Sequence, residues 1–196
     1  MIGNTNQYFR RGWKVFSRWL GNEEAMNDED GRMLRRVADY QFGADAGAAL
    51  FPPDEGLEIY RTTSGRPQQV VADAGRLVTY AVEGRFTLSP AGARRLLGAL
   101  DDPTHRVVVG EDSDPFVREG RNTFAKFVQR ADPGVRPGDE VAVVRDDDTL
   151  LGVGRAELAG EDMLDFETGM AVFVRHGVGP AEAGDGDTDA EREEAS

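Results

Sequence analysis

The sequence predicts an α+β protein built from two modules, a small α/β unit followed by a glycine-creased β pseudo-barrel. Three observations predict it. Segments 57–63, 67–72 and 77–82 alternate apolar and polar residues and are joined by Ser64-Gly65-Arg66 and Asp73-Ala74-Gly75, which are turn signals. Ser89-Pro90 is a helix start, an N-cap serine before a first-turn proline. After Asp101-Asp102-Pro103 the pattern changes to short apolar strands punctuated by Gly138-Asp139, by Gly152 and Gly154, and by Gly169.

Residues 1–28 read as an N-terminal extension. Tyr8, Phe9, Trp13, Phe16, Trp19 and Leu20 lie beside Arg10, Arg11, Lys14 and Arg18, the composition of a basic amphipathic helix at a membrane surface. The preferred reading is that Met26 is the true start, because both tryptophans and one of two lysines precede it. Residues 29–102 form the α/β module. A helix over 32–48 places Met33, Leu34, Val37, Tyr40 and Leu50 on one stripe, with a break at Phe42-Gly43. Three strands follow, and then a helix through Leu100 that buries Leu96, Leu97 and Leu100.

Residues 103–178 form the second module. The expected order is a strand over 106–109, a short helix over 114–119, and strands over 123–131, 140–145 and 149–158. A helical turn over 161–166 and a strand over 170–175 complete it. Apolar residues on both faces of Phe124 to Val128 suit a closed barrel better than an open sheet. Residues 179–196 carry Gly, Ala, Asp and Glu without periodicity and read as a disordered acidic tail.

The chain has 196 residues, no cysteine and a net charge of −13. No run approaches the roughly 18 apolar residues of a membrane span, and no signal-like apolar stretch opens the chain. A cytoplasmic protein without a membrane partner is expected. Only Lys14 and Lys126 are lysines, against 36 acidic residues. Such a surface suits molar salt, and a haloarchaeal origin is expected. At about 1 M salt the Debye length is roughly 3 Å, so distant carboxylates barely repel a polyanion. Within the acidic second module, Arg118, Arg121, Lys126, Arg130 and Arg136 outnumber Asp114, Glu119 and Asp132 across residues 113–136. It is a basic island.

That island lies in Pro115-Phe-Val-Arg-Glu-Gly-Arg-Asn-Thr-Phe-Ala-Lys-Phe-Val128. With Val135-Arg-Pro-Gly-Asp-Glu-Val141, Leu150-Leu-Gly-Val-Gly-Arg155 and Gly169-Met-Ala-Val-Phe-Val-Arg175, it resembles the PUA domain of pseudouridine synthases and archaeosine transglycosylases. Val37-Ala-Asp-Tyr-Gln-Phe-Gly43, Ser64-Gly-Arg66 and Gly84-Arg-Phe-Thr-Leu-Ser89 resemble the small domain that precedes it in archaeal tRNA-guanine transglycosylases. The resemblance covers about residues 32–178, in matching order. It implies a pre-PUA module followed by a PUA pseudo-barrel.

The transglycosylase resemblance raises an enzymatic possibility. The family's catalytic part is a barrel with an aspartate nucleophile and a zinc held mainly by cysteines. Such a barrel needs about 250 residues, and these 196 residues hold no cysteine, so no enzymatic activity is expected. Neither cofactor nor metal is expected either. His105 and His176 stand outside recognisable motifs, and Asp146 to Asp148 lacks EF-hand spacing. Gly152 and Gly154 sit inside a strand with no helix after them, which excludes a dinucleotide loop. There they allow close backbone approach, as the family's glycines do beside RNA.

The candidate RNA-binding residues are Phe116, Arg118, Gly120, Arg121, Asn122, Lys126, Arg155 and Arg175. By resemblance, the loop of Gly120, Arg121 and Asn122 faces the tRNA acceptor end. Phe116 is a candidate base-stacking residue or a core phenylalanine. Lys126 is read as a phosphate contact, and Arg155 and Arg175 as extensions of the same surface. The function expected is non-catalytic binding of tRNA at its acceptor stem and 3′ end, as an accessory to tRNA modification, with a tRNA-modifying enzyme as a possible partner. The alternatives are a detached subunit completing a transglycosylase with a separate catalytic chain, and a protein-interaction module that has lost RNA.

Overall fold

The computed structural model describes residues 23–179, so the amphipathic stretch before Glu23 and the acidic tail after Gly179 lie outside the described residues. Five strands form the first sheet, an antiparallel meander in sequence order. They are β1 (Glu23–Ala25), β2 (Glu58–Arg61), β3 (Pro67–Ala72), β4 (Gly75–Tyr80) and β5 (Phe86–Leu88). The sheet thus takes in Glu23–Ala25, which the sequence assigned to the extension; they pair with Glu58, Ile59 and Tyr60.

Three helices accompany this sheet: α1 (Asp28–Phe42), α2 (Ala46–Leu50) and α3 (Pro90–Ala99). Asn27 caps α1 by accepting from the Asp30 amide at 2.9 Å, ahead of three first-turn acids that suit the positive helix end. Gly43, at φ +98°, ends it at the expected break. Leu34, Ala38 and Phe42 are the buried stripe, Met33 and Val37 pack beside it as expected, and Tyr40 is exposed instead. Ser89 caps α3 through the Gly92 amide, with Pro90 in the first turn.

The second sheet has the order β7-β11-β10-β9-β6-β8. Its strands are β6 (Arg106–Val109), β7 (Thr123–Phe124), β8 (Val128–Ala131), β9 (Glu140–Val144), β10 (Leu150–Ala156) and β11 (Met170–Gly177). Two short helices, α4 (Asp114–Arg118) and α5 (Asp162–Asp165), pack on it. The predicted single strand over 123–131 is broken. A 3-10 turn, Ala125–Phe127, separates β7 from β8, the two edges of the sheet. The chain therefore closes the barrel covalently rather than by a continuous ladder. Apolar residues on both faces of this stretch mark that crossing: Ala125 is buried, whereas Phe124 and Phe127 are exposed.

β9 explains how the modules join. Every residue from Glu140 to Val144 is buried. Because side chains alternate along a strand, Val141 and Val143 enter the barrel interior while Ala142 and Val144 enter the core of the first module. Val108, Leu150 and Val153 join that first core beside Leu34, Phe42, Phe51, Ile59 and Phe86. The modules share one hydrophobic core, and the barrel keeps a second one of its own.

A buried arginine fixes the seam. Arg106 is 2% exposed, and its guanidinium donates to the Leu97 and Leu100 carbonyls at 2.9 and 3.1 Å, where α3 ends. It also donates to Thr104 and Asp101 carbonyls at 3.1 and 3.2 Å and to the Asp148 carboxylate at 2.9 Å. Asp148, at φ +62°, closes the β9–β10 turn. The fixed five-donor fork of arginine is what lets one side chain serve all of these acceptors.

Candidate nucleic-acid interface

The site begins with how α4 ends. Gly120 adopts φ +84°, the left-handed conformation that glycine enters without a Cβ penalty. The Arg121 amide then donates to the Phe116 carbonyl and the Gly120 amide to that of Val117, both at 2.9 Å. This is the paired-bond Schellman ending. It folds Arg121 back over the helix, and its guanidinium carbon lies 5.5 Å from the centre of the Phe116 ring. Arg121 is 67% exposed, and its nearest carboxylate is Glu119 at 3.5 Å.

Phe116, Phe124 and Phe127, all partly exposed, meet at this end of the barrel. With Ser113, Val117, Gly120, Arg121, Asn122 and Thr123 they line an open groove of about 510 Å³. The Lys126 ammonium sits 4.7 Å from the centre of the Phe127 ring. The hydroxyls of Ser113 and Thr123 are buried in the lining without a hydrogen-bond partner among the described residues. Unmet polar groups of this kind cost about 1–3 kcal/mol each. A second groove is lined in part by Glu111, Asp146 and Asp147, and its arginine, Arg145, is already within 4.0 Å of Glu111, Asp114 and Asp147.

The candidate residues fall into three groups. Phe116, Gly120, Arg121 and Lys126 converge on or beside the groove. Arg155 lies elsewhere on the outer face of β10, paired with Glu157 at 2.8 Å and 6.0 Å from the Phe173 ring. Arg118, Asn122 and Arg175 have structural partners. Arg118 pairs with Asp114 one turn back, and the Asn122 carboxamide oxygen accepts from the Val174 amide at 3.1 Å, fixing the loop to β11. Arg175 is bound to buried Glu140, whose other contact is the Leu88 amide of the first module at 2.9 Å. Burial pushes the Glu140 carboxyl above its ordinary range, against the pull of Arg175 and the Leu88 amide.

The glycines of β10 do allow close approach, but to β11. A Cβ on Gly154 would collide with the Phe173 carbonyl, and one on Gly152 would lie 3.0 Å from that of His176. Sequence reasoning missed the phenylalanine cluster as a unit and the two orphan hydroxyls. The Phe124-x-x-Phe127 spacing is visible in the sequence, where its apolar pattern suits a strand. Among the described residues no cluster of three or more metal-ligating side chains occurs, and no helix is long and apolar enough to cross a membrane.

The second module is thus a six-stranded pseudo-barrel closed by a 3-10 crossing, with a glycine-hinged helix-to-strand loop at its mouth. Residues 105–178 match the PUA domain family, and residues 32–103 match the patch-forming C2 domain of tRNA-guanine transglycosylase. Among individual proteins, the chain is 45% identical over 148 residues to the tRNA-guanine(15) transglycosylase of Pyrococcus abyssi, a match covering 75% of this chain and 25% of that protein. The Thermococcus kodakarensis transglycosylase is likewise 45% identical, over 157 residues, covering 80% of this chain and 27% of that protein. The chain thus spans about a quarter of the curated relatives it matches. The fold recurs in a PUA domain from Aeropyrum pernix K1 at a TM-score of 0.61 and 20% identity, covering 82% of this chain and 88% of that one.

Proposed function

We propose that this protein binds tRNA through the groove at the mouth of its barrel, cradling the acceptor stem and 3′ end as an accessory to tRNA modification. The observation that carries the reading is the groove itself, where three partly exposed phenylalanines, an exposed arginine and a lysine converge. Aromatic faces stack on unpaired bases and the cations meet phosphates. Gly120 lets the backbone approach the strand closely. None of these groups is a nucleophile activated by a base, so the role proposed is binding without catalysis. The acidic remainder of the surface fits work at high ionic strength, where only short-range contacts survive screening.

The 45% identity to transglycosylases over both modules favours a second form of this reading, a detached subunit that completes such an enzyme with a separate catalytic chain. Crosslinking in native cells followed by RNA sequencing tests the first form, with tRNA expected above background; no enrichment would remove the tRNA assignment. Co-purification with a catalytic barrel protein tests the second. Unchanged archaeosine content after deletion of the gene would count against it. A module that kept the fold and lost RNA predicts equal tRNA retention with and without the cations of the groove.

A further inference from the structure

A second cationic feature lies at the seam between the modules, outside the groove. Arg76 on β4 is half-buried, and burial lowers its pKa with no carboxylate acting to offset it. No ion pair within 4.0 Å involves it among the described residues. It is in contact with another cation-forming group, His176 on β11, with Nη2 3.3 Å from Nε2. Burial, then Arg76 and Arg175, hold the His176 imidazole below its ordinary range. Arg175 is itself bound to Glu140 on β9. In this contact the imidazole accepts from the guanidinium, and neither group is paired with a carboxylate in an ion pair among the described residues.

Its position connects it to the groove. His176 is followed by Gly177, where a Cβ would clash with the Arg118 carbonyl and come 2.7 Å from the Gly120 amide. The end of β11 is therefore pressed against the Gly120–Arg121 loop, one residue from the Arg76–His176 pair.

We propose that Arg76 and His176 form a phosphate clamp that takes a backbone phosphate of the same RNA whose base enters the Phe116 groove. This rests on the RNA-binding reading and extends it, because it makes the first module part of the RNA surface. On binding, the hydrogen bond between the two side chains opens and the phosphate takes its place. The imidazole takes a proton from solvent, and both groups donate to phosphate oxygens, the charge-assisted bonds that arginine favours. If the pair were only a latch between modules, Arg76 would donate to a neutral imidazole and no proton would be taken up.

The test has two arms. In the first, the His176 ring proton is followed by NMR through a pH titration, with inorganic phosphate exchanged for chloride at constant ionic strength. The chain has two histidines, and His176→Asn assigns the signal. Phosphate is expected to raise the His176 midpoint in wild type and to leave it unmoved in Arg76→Gln. An unmoved wild-type midpoint overturns the clamp, whatever Arg76→Gln does to stability. The second arm measures tRNA affinity across a salt series. Arg76→Gln is expected to reduce the slope of log K against log salt by roughly 0.7–0.9, one phosphate contact, and Arg76→Lys to retain most of it. An unchanged slope in Arg76→Gln, with a reduced one in Arg121→Ala, overturns the clamp and leaves the groove reading standing. A phosphate-sensitive His176 in a protein that retains no tRNA overturns the RNA reading and, with it, the RNA as occupant.

Discussion

Arg121 stands over Phe116 because the two occupy the positions that a Schellman ending brings together, the second residue beyond the cap and the third before it. That contact is ordinarily apolar. Here a guanidinium makes it, so one motif ends α4 and builds a cation–aromatic pair at the groove. Phe116→Ala should weaken tRNA binding by about 1–3 kcal/mol, the worth of one base–aromatic stack, while the melting temperature changes little because the ring is 52% exposed. Equilibrium binding beside thermal melts checks it. A large stability loss with unchanged affinity would mean the ring belongs to the core.

Arg106→Met should destabilise the protein by about 3 kcal/mol in chemical denaturation. Breaking a buried pair costs roughly 3–5 kcal/mol, and the lower end applies because Asp148 is nearly half exposed and can regain water. Arg106→Lys should recover only part of this, since an ammonium cannot span the α3 carbonyls and Asp148 together.

Glu140 makes the pH dependence specific. Its folded pKa is raised by burial above its ordinary 4.5. The folded state therefore binds more protons across that window, and this group's contribution is full below about 4.5 and lost as pH rises through the folded value. Melting temperature followed against pH should show Glu140→Gln gaining on wild type as pH climbs through that range. Parallel curves for the two proteins would contradict the assignment.

Gly154→Ala should cost more than about 2 kcal/mol, because the new methyl meets the Phe173 backbone, which cannot rotate away. Gly65→Ala, at φ +82° with nothing within 4 Å, should cost only about 1 kcal/mol of backbone strain. Urea midpoints of the two variants compare the effects directly.

Much of this fold was legible because local signals agreed with it. The cap at Ser89-Pro90, the break at Gly43 and the all-apolar run from Val141 to Val144 each have one reading that satisfies their local chemistry. What escaped depended on distant partners. Nothing near Arg106 announces that its acceptors are the end of one helix and a carboxylate 42 residues on. Arg175 reads as a surface cation until Glu140 is found 35 residues back. The break at Ala125–Phe127 has no glycine or proline to mark it. It arises where the two edges of the barrel meet, with the Ala125 amide turned to the Gly169 carbonyl at 2.9 Å. Tyr40 is exposed for a simpler reason, since at about 100° per residue it points away from the stripe of Leu34, Ala38 and Phe42.

The most direct measurement is tRNA retention by wild type and by Arg121→Ala with Lys126→Ala, taken across a potassium chloride series. The account predicts a tighter wild type and a salt slope that shrinks by roughly 0.7–0.9 for each phosphate contact removed. Identical retention and identical slopes for the two proteins would contradict it.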